Sequence, residues 1–256
     1  MRLALRHTVA LTARQLLALW RQPWFVAITL VQPMIWLLLF GALFKRVVEI
    51  PGFHGGSYIE FLTPGGVVMS ALFSAGWHGM GWINAIERGI MDRFLVSPVS
   101  RGALIAASLA QSMVVIVVQT LVLVGIAFAV GARFSAGSVL LMLVVAALLG
   151  GAVCGLSDAL ALVTRQEETL IGAVQFVVLP ASFLSSGMMA SNLLPGWIHA
   201  VARFNPVNWA VVASRSVTSS GTDWSVVGTR TGLLAALVLA CGALGTRAFR
   251  AYQKAV

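Results

Sequence analysis

Six apolar runs of roughly membrane-spanning length constrain the fold of this chain more than any other feature of its sequence. An α-helix needs about 20 apolar residues to cross the hydrocarbon core of a bilayer. Hydrophobic residues make up 59% of the 256 residues and charged residues only 10%, against about 25% charged residues in a typical soluble domain. The sequence therefore predicts an all-α polytopic membrane protein with six transmembrane helices in a single transmembrane domain, residues 1–256. The predicted spans are residues 24–44, 65–85, 103–130, 138–163, 170–189 and 232–249.

The residues before the first predicted span favour an amphipathic helix that lies along the membrane surface. At about 100° per residue, the arginines of segment 1–22 occupy roughly one third of the helix circumference, and most of the leucines lie opposite. The alternative interpretation is an ordinary positively charged segment ahead of a span. The arginines are Arg2, Arg6, Arg14 and Arg21, and the opposing leucines are Leu5, Leu11, Leu16 and Leu19.

The distribution of Arg and Lys predicts the orientation of the spans, because basic residues are enriched in cytoplasmic connections. With spans of alternating direction, one side receives eleven of the 17 basic residues and the other side six. The sequence predicts a multi-pass protein of the cell membrane, plasma or inner, with both termini cytoplasmic. The arginines are scattered singly at the ends of apolar runs, so membrane orientation explains the net charge of +9 better than nucleic-acid binding does. The larger set is Arg2, Arg6, Arg14, Arg21, Arg88, Arg93, Arg101, Arg165, Arg247, Arg250 and Lys254, and the smaller set is Lys45, Arg46, Arg133, Arg203, Arg215 and Arg230.

A charged segment interrupts the apolar sequence between the second and third predicted spans. Residues 86–101 read IERGIMDRFLVSPVSR and contain five ionised side chains. The segment predicts a short amphipathic helix over residues 86–98, held between two spans. Such a helix is well placed to contact a cytoplasmic protein that drives this one.

The connection at residues 190–231 is long and apolar, but none of its pieces is long enough to cross a bilayer. Pro195 suits the first turn of a short helix, and Asn205-Pro206 is expected to end that helix. A second apolar segment follows at residues 207–217. Apolar pieces of this length are more often re-entrant or interfacial than membrane-spanning, and tryptophans such as Trp197 favour the headgroup region. The pattern predicts an outer re-entrant helical hairpin.

Two polar residues fall inside predicted spans and are candidates for function. Asp158 is the only carboxylate well inside a span, where an ionisable side chain is costly. It follows Gly151 and Gly155, a spacing that permits close helix contact. One interpretation is a structural contact to a neighbouring helix, with Arg165 as a possible partner, and the other is a role in transport. His78 is interpreted as a polar residue inside the bundle, and no second ionisable residue on its span supports a proton relay.

Motifs that would give the chain chemistry of its own are absent. The only lysines are Lys45 and Lys254, and neither follows a glycine, so the sequence has no P-loop for ATP. Cys154 and Cys241 lie in apolar runs without a second Cys or His at metal-ligand spacing, and they are interpreted as packing residues. The sequence therefore predicts no catalytic residue, no metal site and no cofactor bound by this chain.

The order of these segments resembles the type-2 ABC transporter (ABC-2) permeases over essentially the whole chain. The most specific pieces are Glu87-Arg88-Gly89 followed by SPVSR at residues 97–101, and LPGW at residues 194–197 followed by Asn205-Pro206. The family often has Thr after the glycine, where this chain has Ile90. The chain is most similar to the short six-span branch of daunorubicin-resistance and nodulation exporters, with polysaccharide-exporting permeases a near second.

The resemblance implies an assembly of two permease halves with two separate ATPase subunits, which hold the ATP and Mg²⁺. Segment 1–22 would be the connecting helix and segment 86–98 the coupling helix that docks on the ATPase. The hairpins of the two halves would form the outer gate. The implied coupling residues are Glu87, Arg88, Gly89, Asp92, Arg93 and Phe94, and the implied gate residues are Pro195, Trp197, Asn205 and Pro206.

The sequence thus favours a non-enzymatic permease that exports an amphipathic drug, a lipid or a lipid-linked glycan. An ion-gradient-driven secondary transporter is the alternative, but it would require paired intramembrane ionisable residues, and Asp158 alone gives little support. An integral membrane enzyme would require a cluster of catalytic groups at one membrane face. The choice among substrates stays open, as does the identity of the second half, which is either a copy of this chain or a related permease.

Overall fold

The computed structural model of the chain describes residues 58–91, 101–187, 196–217 and 223–254, together with scattered positions between 31 and 43. Every regular element within the four ranges is helical. The helices are α1 (Tyr58–Gly76), α2 (Met80–Glu87), α3 (Arg101–Ala129), α4 (Ala136–Thr164), α5 (Glu167–Phe183), α6 (Gly196–Ala202), α7 (Pro206–Ser216) and α8 (Trp224–Lys254).

Four helical stretches in the described ranges are long and apolar enough to cross a membrane. They correspond to the predicted second, third, fourth and sixth spans. The first predicted span lies largely outside the described residues, as does segment 1–22. The helix at the fifth predicted span, α5, has 17 residues and is shorter than the other four. The four stretches are Tyr58–Glu87, Gly102–Ala129, Ala136–Thr164 and Trp224–Lys254.

The third and fourth spans have ends within two residues of those predicted. The ends of α4 carry local signals that explain the agreement. The Ser135 side chain accepts a hydrogen bond from the N–H of Ser138 and caps the first turn. Arg165 adopts the left-handed conformation, with φ of 54°, immediately after the last turn.

The second span was predicted at residues 65–85, and the helical stretch found there, Tyr58–Glu87, is longer and is broken by a turn. The helix begins at Tyr58, stops at Gly76 and resumes at Met80 after a turn at residues 77–79. Pro64, the residue before the predicted span, lies inside α1. A proline in a membrane helix is tolerated where neighbouring groups satisfy the backbone around it.

Two other helices end at positions that differ from the predicted spans, and hydrogen bonds at the helix ends explain both differences. The helix at the sixth predicted span begins at Trp224 rather than near residue 232, because Asp223 Oδ1 accepts from the N–H groups of Ser225 and Val226 at 3.0 and 3.3 Å. The predicted re-entrant connection therefore ends before Trp224. The helix at the fifth predicted span, α5, stops at Phe183 rather than at 189, and the Asn205 side chain, just before α7, donates to the Ala181 carbonyl in its last turn.

The helix predicted for residues 86–98 does not begin at residue 86. Glu87 is the last residue of α2, and Arg88 and Gly89 form a turn after it. Gly89 has a φ of 64°, a conformation that a side chain disfavours, so this glycine allows the chain to leave the helix here. Asp92, Arg93 and Phe94 lie outside the described residues.

Helix α4 lies at the centre of the bundle, in contact with α1, α3 and α8. A Cβ atom on Gly155 would lie 3.0 Å from the carbonyl carbon of Cys241 in α8. A Cβ atom on Gly151 would lie 2.2 Å from the terminal methyl carbon of Met113 in α3. The close helix contact predicted from these two glycines is confirmed.

The described helices define two ends of the bundle. At the Glu60 end, the N–H of Arg133 donates to Glu60 Oε1 at 2.8 Å, and the Ser138 hydroxyl donates to the Val217 carbonyl at 2.9 Å. At the Tyr252 end, the Arg165 guanidinium stacks on the Tyr252 ring at 4.5 Å. Successive connections alternate between these ends, as the order of the spans requires.

A tight backbone contact at the Glu60 end provides a test of this packing. A methyl group on Gly65 would lie 2.1 Å from the carbonyl oxygen of Gly187, which cannot move aside as a flexible side chain can. We expect Gly65→Ala to lower the free energy of unfolding by about 1–3 kcal/mol. The measurement is equilibrium unfolding of the detergent-solubilised protein.

Gly66→Ala is the matched control, because among the described residues its new methyl group would meet only Leu37 Cδ1, at 4.0 Å. This change should leave stability unchanged or raise it slightly, since alanine favours a helix by about 1 kcal/mol over glycine. Equal destabilisation by the two changes would contradict the packing of α1 on the turn after α5.

Candidate functional site at the helix break

Ser157 forms hydrogen bonds with the backbone on both sides of the break between α1 and α2. Its hydroxyl donates to the Gly76 carbonyl at 2.6 Å and accepts from the N–H of Gly79 at 3.0 Å. These are the backbone groups that a break in a buried helix leaves without a helical partner. A Cβ atom on Gly79 would lie 2.5 Å from the Ser157 carbonyl oxygen, so only glycine fits this approach. A single side chain of α4 thus provides hydrogen-bond partners for both backbone groups at the break.

The next residue on α4, Asp158, forms the centre of a buried polar cluster. Asp158 is fully buried. Its Oδ1 lies 3.0 Å from Nδ1 of His78, which is in the turn between α1 and α2. Its Oδ2 accepts a hydrogen bond of 2.6 Å from the Ser108 hydroxyl of α3. Cys154 Sγ, one turn earlier on α4, lies 3.8 Å from the same oxygen.

His78 and Asp158 were each predicted as polar residues inside the bundle, and the structure pairs them across 80 positions of the sequence. The proposed partner Arg165 is wrong, because its guanidinium lies against Tyr252 at the end of the bundle. The prediction of a contact to a neighbouring element is confirmed. A role of Asp158 in transport stays a prediction.

The sequence did not indicate Ser108, Ser157 or Cys154 as members of this site. Cys154 and Asp158 are four residues apart, and that spacing places them on one face of a helix. This spacing was the available signal, but Cys154 was interpreted as a packing residue. The contacts of Ser108 and His78 depend on which spans are neighbours, and the sequence alone does not specify this.

The side chains of the cluster can form an ion pair or provide metal ligands, in addition to packing. A protonated His78 would form an ion pair with the Asp158 carboxylate, and a neutral His78 would form a hydrogen bond with it. One ligand atom from each of His78, Cys154 and Asp158 lies within 4.8 Å of the others. A groove of about 30 Å³ beside Ser157 is lined mainly by aliphatic side chains and adds no further charged group.

The predicted coupling residues that the structure describes are exposed at the end of α2. Glu87, Arg88 and Gly89 are solvent-accessible, whereas Ile83 and Met91 on either side are almost fully buried. The charged turn is therefore held to the bundle by apolar contacts on both flanks.

The predicted gate residues that the structure describes, Trp197, Asn205 and Pro206, lie in and beside α6 and α7, at the Glu60 end. The Asn205 side chain caps α7 by accepting from the N–H of Val207 at 2.9 Å, and its amide donates to the carbonyls of Ala181 and Leu184 in and after α5. Pro206 is the first residue of α7, and Trp197 is 65% exposed. Asn205-Pro206 therefore separates two short helices, as predicted. Pro195 lies outside the described residues.

Asn208 and Arg215 also attach α7 to the end of α5, and the sequence analysis missed this role. Asn208 Oδ1 accepts from the N–H and the hydroxyl of Ser186 at 3.1 and 2.7 Å. Arg215 donates to the carbonyls of Ser186 and Gly187, the latter at 2.7 Å, and its guanidinium lies 3.9 Å from the centre of the Phe61 ring. Burial lowers the pKa of Arg215 to about 10, so this side chain stays charged at neutral pH.

Comparison with known proteins identifies the family. Residues 6–218 match the family described as ABC-2 type transporter. The chain belongs to this family. This ABC-2 permease is 28% identical to the daunorubicin resistance ABC transporter permease protein DrrB1 of Streptomyces coeruleorubidus, over 85% of the chain and 77% of that relative.

Two other relatives extend the comparison. A protein of Mycobacterium tuberculosis, named as the doxorubicin resistance ABC transporter permease protein DrrC, is 26% identical over 86% of the chain and 79% of its own length. A protein of Porphyra purpurea, named as transport permease ycf38, is 28% identical over 84% of the chain and 75% of its own length.

Family membership defines the broad role of the chain. It is a multi-pass membrane protein and the permease subunit of an ABC-2 transporter, related to drug-resistance exporters. The family is the membrane part of the transporter and lacks the ATPase domain, so the permease works with an ABC ATPase.

The contact of Ser157 with the helix break can be tested by one substitution. Ser157→Ala removes the partner of both the Gly76 carbonyl and the Gly79 N–H, and buried polar groups without partners cost about 1–3 kcal/mol. We expect the free energy of unfolding of the ABC-2 permease to fall by this amount. The measurement is equilibrium unfolding in mixed micelles.

Ser182→Ala is the control, because Ser182 is also buried but its hydroxyl donates to Leu179 within its own helix. Its effect should be clearly smaller than that of Ser157→Ala. A stability of Ser157→Ala equal to that of the control would show that the break does not depend on this hydroxyl.

Proposed function

We propose that this permease is the membrane-spanning part of an ATP-driven exporter that moves an amphipathic drug, a lipid or a lipid-linked glycan outward. The relatives named for daunorubicin and doxorubicin resistance support an amphipathic substrate. The observation that carries the ATP-driven mechanism is the exposed charged turn Glu87–Gly89, which projects from a buried apolar base and lies within the residues that match the family. A separate ATPase subunit supplies the free energy.

The working assembly contains two permease halves, two ATPase subunits and the surrounding membrane lipids. Each half has six spans, an N-terminal connecting helix over residues 1–22 and both termini in the cytoplasm. In this orientation the Tyr252 end of the bundle faces the ATPase, and the Glu60 end faces outward. ATP and Mg²⁺ are bound in the partner subunit.

The contacts of α2 support a path from the ATPase into the bundle. Trp82 of α2 makes an edge-on contact with Phe249 of α8, with ring centroids 5.9 Å apart. The other end of α2 is joined to α4 through the N–H of Gly79 and Ser157. A displacement of the turn at Arg88 is therefore passed to α8 and α4 through packed and hydrogen-bonded contacts.

The pair α6–α7 is proposed as the outer gate of each half. Asn205, Asn208 and Arg215 attach it to the end of α5, and exposed Trp197 suits the headgroup region. Closure of the ATPases would move the two permease halves relative to each other and so move their outer gates apart.

The orientation can be tested with reporters that are active only in the cytoplasm. A reporter inserted near Ser97 or fused after Val256 should be active, because both positions belong to segments that join the Tyr252 end of the bundle, which we propose faces the cytoplasm. The same reporter inserted in the 218–222 loop should be inactive, because that loop follows the Glu60 end. The measurement is reporter activity normalised to the amount of membrane-inserted protein. Activity in the 218–222 loop would overturn the proposed orientation.

The coupling role can be tested by reversing one exposed charge. Arg88→Glu places a negative charge in the turn that we propose contacts the ATPase, and an unmatched charge in such a contact repels or stays unpaired. We expect at least about a tenfold loss of affinity for the ATPase, corresponding to about 1.4 kcal/mol, together with loss of ATP-dependent export. The measurements are co-purification of the ATPase and drug uptake into inverted vesicles.

Arg203→Glu is the matched control, because Arg203 is equally exposed but lies beside α6 at the opposite end of the bundle. This variant should retain ATPase binding. Normal ATPase binding and export by Arg88→Glu would contradict the coupling role. Export that continues without ATPase, driven by an ion gradient, would overturn the proposed function itself.

A further inference from the structure

We propose that His78, Cys154 and Asp158 form a binding site for a divalent transition-metal ion of the zinc class. The three side chains come from the turn between α1 and α2 and from two successive turns of α4. Their ligand atoms lie within 4.8 Å of one another. Histidine nitrogen, thiolate sulfur and carboxylate oxygen are the three ligand types that Zn²⁺ uses in proteins.

The spacing of the ligand atoms suits a tetrahedral ion. Bonds of about 2.0–2.3 Å from the metal to nitrogen, oxygen and sulfur place neighbouring ligands roughly 3.3–3.7 Å apart. The carboxylate lies 3.0 Å from His78 Nδ1 through Oδ1 and 3.8 Å from Cys154 Sγ through Oδ2. The ligand atoms are up to 4.8 Å apart, so shifts of about 1 Å would bring the three groups around one ion, with a fourth position for a water molecule.

The charges of the three groups balance a divalent ion. A thiolate, a carboxylate and a neutral imidazole carry a total charge of −2, so the site with its metal is neutral. Neutrality matters here because Asp158 is fully buried in a bundle that crosses a bilayer, where an uncompensated charge is costly. The mixed nitrogen and sulfur ligands favour zinc-class ions over Mg²⁺ or Ca²⁺.

Ser108 would support the site without binding the metal. Its hydroxyl donates to Asp158 Oδ2 at 2.6 Å and so fixes the direction of the carboxylate. Hydrogen bonds of this kind orient metal ligands and are part of most metal sites. The bound ion would tie the break between α1 and α2 to α4 more firmly than hydrogen bonds alone.

Binding of Co²⁺ to the purified full-length permease provides the test. The metal-free protein in detergent should take up one Co²⁺ per chain and develop a sulfur-to-cobalt charge-transfer absorption band. The Cys154 thiol must lose its proton when the metal binds, so uptake should release protons to the buffer. Zn²⁺ should displace the cobalt, abolish the band and raise the melting temperature by mass action.

A substitution of the second cysteine tests whether Cys154 binds the metal without changing any residue of the proposed site. Cys241→Ser leaves Cys154 as the only thiol of the chain, so a band that persists in this variant must come from Cys154. Cys154→Ser should lose the band and bind Co²⁺ at least about tenfold more weakly, and His78→Asn should also bind more weakly. Failure of the wild-type protein to bind Co²⁺, or bound Co²⁺ without a thiolate band in Cys241→Ser, would overturn the proposal.

Discussion

The structure depends on how the backbone groups freed at the turn between α1 and α2 are paired. In the hydrocarbon region no water is present to bind an exposed N–H or C=O, so a broken span requires a protein partner at the break. Ser157 provides that partner for Gly76 and Gly79 with one hydroxyl. The same contact fixes the register of α4 against the break. Asp158, the next residue, is thereby brought opposite His78. The polar cluster therefore follows from the hydrogen bonds of Ser157 with the backbone at the break.

Helix α4 links this break to the rest of the bundle. Its small residues allow the backbone of α8 to approach closely, with Gly155 against Cys241. Interiors that are packed this tightly shift between discrete arrangements rather than deforming continuously. A movement that enters through the proposed coupling turn at Arg88 would therefore move α2, the break and α4 together. This makes the polar cluster part of the proposed route from the ATPase to the transport path.

The sequence predicted the parts of the fold that carry local signals. The third and fourth spans were placed within two residues because their ends carry polar or charged residues next to long apolar runs. The break in the helix at the second predicted span was not foreseen, because it is stabilised by Ser157, 81 residues from the Gly76 carbonyl it binds. His78 and Asp158 were recognised individually, since polar residues stand out in apolar runs. Their pairing, and the approach of Ser108, arise from the arrangement of helices, which periodicity and composition do not encode.

The end of α5 presents the same physical problem as the break, and α7 solves it. Helix α5 stops at Phe183, so the carbonyls of its last turn and of the turn that follows have no further helix to bind them. Asn205 binds the carbonyls of Ala181 and Leu184, and Arg215 binds those of Ser186 and Gly187. Moving the proposed outer gate away from α5 would expose all four of these carbonyls together with a charged guanidinium. Leaving these polar groups without hydrogen-bond partners costs much free energy in an apolar setting, so α5, α6 and α7 are expected to move as one body. An outward opening would then occur between the two permease halves rather than within one of them.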